Sequence, residues 1–144
     1  MGSVDPERIQ FEAFKALPRD APVEMLNLVR VRERAAYAAD HPLHGKGLSG
    51  LEAYRNYGRD SASVFSRVGG QQIWMGRPET VLIGPVDERW DIAFIAFYPG
   101  AGAFLEMVTD AGYREHVKHR QAAVEDSRLI RMDPVEELGE GFGE

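Results

Sequence analysis

The chain has 144 residues, 44% of them hydrophobic and 28% charged, the composition of one soluble globular domain with enough apolar side chains for a core. It contains no cysteine, which excludes disulfides, thiolate nucleophiles and cysteine-ligated metal or iron-sulfur centres. The net charge of -6 is concentrated in Asp133, Glu136, Glu137, Glu140 and Glu144, beyond the last basic residue, so the body is near neutral and offers nucleic acid or anionic lipid no electrostatic footprint.

The start, residues 1–6, has neither the basic nor the apolar part of a signal peptide, and no run of about 18 apolar residues follows to span a membrane. A cytoplasmic location is expected. Asp5-Pro6 is a helix start with Asp as N-cap, and Leu17-Pro18 is a stop, which predicts a helix over residues 6–17. Ile9, Phe11, Phe14 and Leu17 form an imperfect stripe, suited to an arm on the main domain or on a neighbouring subunit.

Residues 23–31 read as a strand with Met25 and Val29 on one face and Leu26 and Leu28 on the other, interrupted by Asn27. Residues 32–48 have no strand pattern. They are either a flap over a site or a loop with a helical turn near 33–39. Ser49 answered by Glu52 is a capping box, and the helix that follows places Leu51, Tyr54, Gly58, Ala62, Phe65 and Val68 on one face before Gly69-Gly70 ends it. Residues 72–76 and 80–84 are strand-like runs, readable as one strand with a bulge at Pro78.

The segment 90–98 is the most hydrophobic strand. Trp90, Ile92, Phe94 and Tyr98 alternate with Ala93, Ile95 and Phe97, so both faces need cover. Two helical pieces follow, broken near 109–112, the second carrying Tyr113, His116, His119 and Arg120. Residues 128–132 read as a last strand, and 134–144 as an acidic, flexible tail.

Strand, helix, strand, strand, helix, strand is the ferredoxin-like pattern, an α+β fold with a four-stranded antiparallel sheet, here with an extra N-terminal helix. The expected organisation is an arm over 1–22, a domain over 23–133 and a tail over 134–144. Helices cover one sheet face only, while the two-sided strands require cover on both. A homodimer through the sheet faces supplies it.

Met25-Leu26-Asn27-Leu28 with Arg30 and Tyr37, Gly69-Gly70, Trp90-Asp91 leading to Tyr98-Pro99, Phe104-Leu105-Glu106-Met107, Tyr113, His119-Arg120, and Glu125-Asp126-Ser127-Arg128-Leu129 carry a resemblance. Over residues 20–132 the chain resembles the uncharacterised family called domain of unknown function 1330, in the dimeric α/β-barrel superfamily. The resemblance implies a ferredoxin-like fold dimerised through sheet faces and no settled activity. Related superfamily members include cofactor-free monooxygenases, lactone isomerases and haem enzymes, which leaves the reaction open.

Asn27 is the sharpest anomaly, because a buried amide needs partners and a mid-strand amide can hold a ligand carbonyl or hydroxyl. His119 is a candidate general base and Arg120 a candidate carboxylate clamp, against the plainer reading that Arg120 pairs with Glu125, Asp126 or Asp91 and His119 lies at the surface. Asp91 is either a base or half of a salt bridge. Tyr54, Tyr57, Trp74, Tyr98 and Tyr113 are candidates to line a pocket for a planar ligand, and Tyr54 and Tyr98 fit equally as core residues with a polar tip. The pairs His41/His44 and His116/His119 lack a third ligand at a telling distance, so neither a metal nor another cofactor is expected.

The expected function is binding of a small polar or aromatic metabolite by Asn27, Tyr54, Arg120 and Tyr98. His119 or Asp91 would move a proton in a cofactor-independent monooxygenase, isomerase or similar reaction. The alternative is a non-catalytic ligand-binding or structural homodimeric module.

Overall fold

The computed structural model describes residues 2–135. Its sheet has the strand order β2-β3-β1-β4, built from β1 (Val23–Val31), β2 (Gln71–Gly76), β3 (Ile92–Tyr98) and β4 (Val124–Met132). Every pair is antiparallel, β1 and β3 are central, and with the helices this is the ferredoxin-like fold. The helices are α1 (Arg8–Ala16), α2 (Gly50–Arg67), α3 (Ala101–Thr109) and α4 (Ala111–Ala123). No helix among the described residues is long and apolar enough to cross a membrane.

Local signals account for most element ends. The capping box at Ser49 forms as expected, with Ser49 Oγ accepting from Glu52 N at 3.0 Å and Glu52 Oε1 from Ser49 N at 2.9 Å. At the other end of α2, Gly70 N donates to Phe65 O and Gly69 N to Ser66 O, and Gly69 takes φ +88. This is a Schellman closure, which needs a residue that tolerates the left-handed region. Between α3 and α4 the chain breaks at Asp110, whose carboxylate caps α4 by accepting from Tyr113 N at 2.9 Å.

Several expectations are corrected. The helix expected over 6–17 starts later, because Glu7 and Gln10 make the capping box and Pro6 stays outside it. Residues 33–39 form no helical turn. Backbone bonds from Ala35 N to Leu48 O and Ala36 N to Ala122 O hold segment 32–49 against the end of α4 as a strap. The run 80–84 is not a strand: β2 ends at Gly76, opposite Ala93, and β3 begins at Ile92, so no ladder partner remains for residues beyond Pro78. Leu82, Ile83 and Val86 in that loop are exposed. Trp90 and Asp91 precede β3 rather than open it. The last strand begins at Val124 rather than 128, since β1 pairs with it along its whole length despite Asp126 and Ser127. Of the tail expected over 134–144, only Pro134 and Val135 fall within the described residues.

One face of β1 is buried, through Val23, Met25, Asn27 and Val29. Ile92, Phe94, Ala96 and Tyr98 of β3 stand opposite them on the same face. Leu26 and Leu28 point the other way, opposite Ile95 and Ala93, with Ile130 across from Leu26 on β4. Leu26, Leu28 and Ile95 are only partly covered within the chain. Of the stripe expected to bury on α2, only Val68 is fully buried. The helix seats Ala53, Ser61 and Val64 instead, and Leu51, Tyr54, Gly58, Ala62 and Phe65 line open space above the sheet.

Candidate functional site

That space is a cavity of about 880 Å³ between α2 and the helix-facing side of the sheet. Its floor is the centre of β1 and β3, because the residues on that face are Met25 and Asn27 beside Phe94 and Ala96. The other walls are mostly apolar, from Phe65 on α2, Phe104 and Met107 on α3, and Leu129 on β4. Polar side chains come from Asn27 on β1, Tyr54, Arg55, Tyr57 and Ser61 on α2, Gln72 on β2, Tyr98 on β3, Arg120 on α4, and Arg77 and Asp91 between β2 and β3. A mainly apolar cleft with a few placed polar groups is the usual form of a small-molecule site.

Asn27 is 8% exposed. Its Nδ2 donates to Met25 O at 3.1 Å, and among the described residues its Oδ1 accepts no hydrogen bond. That oxygen is not sealed off, so water or a ligand in the cavity can supply its donor. The Tyr54 phenol likewise has no hydrogen-bond partner among the described residues, whereas Tyr57 and Tyr113 bond to each other at 2.7 Å and Tyr98 donates to Met107 Sδ at 3.8 Å. Burial drives the Tyr54, Tyr57, Tyr98 and Tyr113 phenols above their ordinary value of 10.0. All four are therefore neutral at physiological pH and act as hydrogen-bonding groups, not as phenolates.

Arg120 reaches the cavity from α4. It makes none of the expected pairs with Glu125, Asp126 or Asp91; its Nη1 donates to Val4 O, and its Nη2 to Ser127 Oγ at 3.1 Å. Asp91 borders the cavity, and both its oxygens are engaged. Oδ2 accepts from Val31 N at 2.8 Å and Oδ1 faces Arg89 at 3.3 Å, while Asp91 N donates to Val29 O. The residue splices the end of β1 to the start of β3.

His119 does not join this group. On α4 it faces the strap and α2, with Nδ1 at 2.7 Å from the Tyr37 hydroxyl and Nε2 at 3.2 Å from Asp60 Oδ2. The His41 ring stacks on Tyr37 at 4.5 Å and meets His119 edge-on at 5.6 Å. Burial holds the His119 pKa below its ordinary 6.5, opposed by the Asp60 charge. The structure thus brings Asn27, Tyr54, Tyr98, Arg120 and Asp91 to one cavity and leaves His119 outside its lining. Trp74 is also absent from the cavity, on the opposite sheet face, half exposed. Among the described residues no three histidine or carboxylate side chains converge to hold a metal ion. Ser61 and the Arg120 contacts to Val4 and Ser127 had no sequence signal, since a lone serine in a helix and a backbone carbonyl in an arm carry no motif.

No protein-family model matches the chain, and no curated protein does. Among solved structures, a cofactor-independent oxygenase from Streptomyces nogalater, SnoaB, shares the fold at 19% identity and a TM-score of 0.50, over 83% of this chain and 99% of that one. A protein of unknown function from Rhodopseudomonas palustris is far more similar: 53% identity and a TM-score of 0.86, over 95% of this chain and 100% of that one. The methylated form of that protein gives the same identity and a TM-score of 0.87, over 94% and 96% of the two chains. With identity at that level along nearly the whole of both chains, this chain belongs to the same family as the Rhodopseudomonas palustris protein, one of unknown function.

Proposed function

We propose that this protein binds a small, planar, largely apolar metabolite in the cavity between α2 and the sheet. Asn27 and Tyr54 would meet a carbonyl or hydroxyl group, Arg120 an anionic group, and Tyr98 would form part of the wall. The observation that carries the reading is Asn27. A mid-strand amide at 8% exposure keeps its acceptor oxygen uncommitted and open to the cavity, and the Tyr54 phenol lining the same cavity is uncommitted too, so a bound polar group finds an acceptor and a donor ready for it. The binding role is favoured over a catalytic one because both Asp91 oxygens are engaged and His119 is held by Tyr37 and Asp60 away from the cavity. The second reading is a cofactor-independent proton-transfer enzyme, such as a monooxygenase or isomerase, with Asp91 as base once Arg89 releases it, or His119 once it turns from Tyr37 and Asp60 toward the cavity. Its support is that Asp91 borders the cavity and that a protein of this fold is a cofactor-independent oxygenase.

The same proposal assigns the chain to the domain of unknown function 1330 family, in the cytoplasm, with an arm over 1–22 packed on a domain over 23–133. It further makes the protein a homodimer through the outer sheet face. Leu26, Leu28, Ala93, Ile95 and Ile130 make that face apolar at its centre, and no helix among the described residues covers it.

Native mass spectrometry of the purified protein tests the binding reading, followed by titration with 8-anilinonaphthalene-1-sulfonate, an aromatic anion. A retained small-molecule adduct, or dye binding that Asn27→Leu and Tyr54→Phe weaken, is the expected result. Dye binding indifferent to both substitutions, with no adduct, refutes it.

A further inference from the structure

A second cavity, of about 710 Å³, lies beneath the N-terminal arm. Met25, Phe104, Arg120 and Leu129 line both it and the main cavity, so these side chains are the partition between the two. The arm roofs the second space. Its hold on the domain is largely polar: Ser3 N donates to Asp126 Oδ1 at 2.9 Å, Ser127 Oγ to Ser3 O at 2.7 Å, Gln121 Nε2 to Asp5 Oδ1 at 3.2 Å, and Arg131 to Phe14 O and Pro18 O. Helix α1 buries none of its side chains fully, and Phe14 against Phe104, ring centroids 5.1 Å apart, is its main apolar contact. The seat is nonetheless specific. A Cβ at Gly2 would lie 1.7 Å from Glu125 O, so only glycine lets the chain approach β4 there.

Arg120 links the arm to the ligand cavity. One terminal nitrogen holds Val4 O, and the other holds Ser127 Oγ, which in turn holds Ser3 O. A carboxylate or sulfonate takes a guanidinium as a fork, two parallel bonds to a full negative charge, where the arm and Ser127 offer it one neutral carbonyl and one hydroxyl. Of the five guanidinium N–H groups the arm side uses two, one on each terminal nitrogen, and an anion in the main cavity that takes that fork withdraws them from Val4 O and Ser127 Oγ.

We propose that residues 3–17 are a lid whose latch is Arg120: an anionic ligand that engages the guanidinium frees Val4, leaves Ser3 held by Asp126 and Ser127 alone, and loosens the arm. The lid rests on the ligand-binding reading of the main cavity, and it specifies that the ligand is an anion. The arm and the anion share one group, so each weakens the other's hold by the same factor.

Hydrogen exchange on the full-length protein tests this with two probes, 8-anilinonaphthalene-1-sulfonate and N-phenyl-1-naphthylamine, which has the same aromatic body without the charge. The expected result is that both slow exchange in β1 and α2, while only the sulfonate speeds exchange in residues 3–17, by about tenfold, as loss of a charge-assisted bond implies. Arg131→Ala, which cuts the arm's tether outside the main cavity, should speed arm exchange without a probe and tighten sulfonate binding several-fold. Ser127→Ala should do the same if Arg131→Ala proves poorly folded. Slowed β1 and α2 with an unchanged arm overturns the lid and leaves the binding reading intact. Equal loosening by the uncharged probe overturns the latch. If neither probe affects β1 or α2, the binding reading falls and the lid with it.

Discussion

The Tyr37 hydroxyl lies 2.7 Å from His119 Nδ1, and through that imidazole the strap, α4 and α2 are joined at one point, since His119 Nε2 faces Asp60 Oδ2 at 3.2 Å. A neutral ring with its proton on Nε2 satisfies both partners, with Tyr37 donating and Asp60 accepting. Burial lowers the His119 pKa below 6.5, with the neighbouring His41 and His116 acting in the same direction and Asp60 against it. A group whose folded pKa is depressed binds fewer protons folded than unfolded. Its contribution is full above about pH 6.5 and is lost as pH falls through the lower folded value. For Asp60, burial raises the pKa, but the bond to Arg59 and the charges of Arg59, His119 and His116 outweigh it, so its contribution fails only below the ordinary 3.8. Denaturant melts at pH 7.5 and pH 5 should show a stability loss in the wild type that His119→Gln largely removes. The same loss in both proteins would contradict the assignment.

Asn27→Leu should leave the fold intact and change stability by no more than about 1 kcal/mol, because it trades the Nδ2 bond to Met25 O and an oxygen open to the cavity for an apolar side chain. It should also weaken dye binding in the cavity. Thermal melts and a fluorescence titration of the same samples check both halves, and a destabilised variant that binds as tightly as the wild type would contradict the role given to Asn27.

The bond between Tyr57 and Tyr113 ties α2 to α4 at 2.7 Å across a site where both phenols are buried. Tyr57→Phe and Tyr113→Phe should each cost about 1 kcal/mol, and the double variant little more than either, giving a coupling near 1 kcal/mol. Additive losses in urea melts would mean that the hydroxyls do not depend on each other.

On the outer sheet face Leu26 stands opposite Ile95 on β3 and Ile130 on β4. If that face is the dimer interface, Ile95→Lys places a charge at its centre and should yield a folded monomer. Light scattering at micromolar concentration, with circular dichroism to confirm folding, is the check. A wild type that is already monomeric would end the dimer proposal.

Much of this fold is legible from short-range chemistry. The bounds of β1, the box at Ser49 and Glu52, the glycine closure at Gly69-Gly70 and the break between α3 and α4 all depend on residues within a turn of one another. The central placement of β1 and β3 follows from their two-sided hydrophobicity. The candidate site is legible only in part. Asn27 is conspicuous because an amide is out of place in a strand, and Tyr54 and Arg120 stand on faces that the helical period identifies, whereas the place of His119 depends on Tyr37 in a strap with no pattern of its own.

The sequence by itself determined the order of the helices and the four strands of the sheet, though not that residues 80–84 stay out of it, and that one sheet face would be left without a helical cover, because alternation, helical periodicity and caps are local. Tertiary structure alone decided what each apolar face meets. The stripe of α2 from Leu51 to Phe65 marks a face to be kept from water, but periodicity does not say whether a neighbour fills it or a cavity lies beneath. It also decided the polar partners. Arg120 with Val4 and Tyr37 with His119 are pairs separated by 116 and 82 positions, and contacts at such distance along the chain exist only once the sheet has brought its ends together.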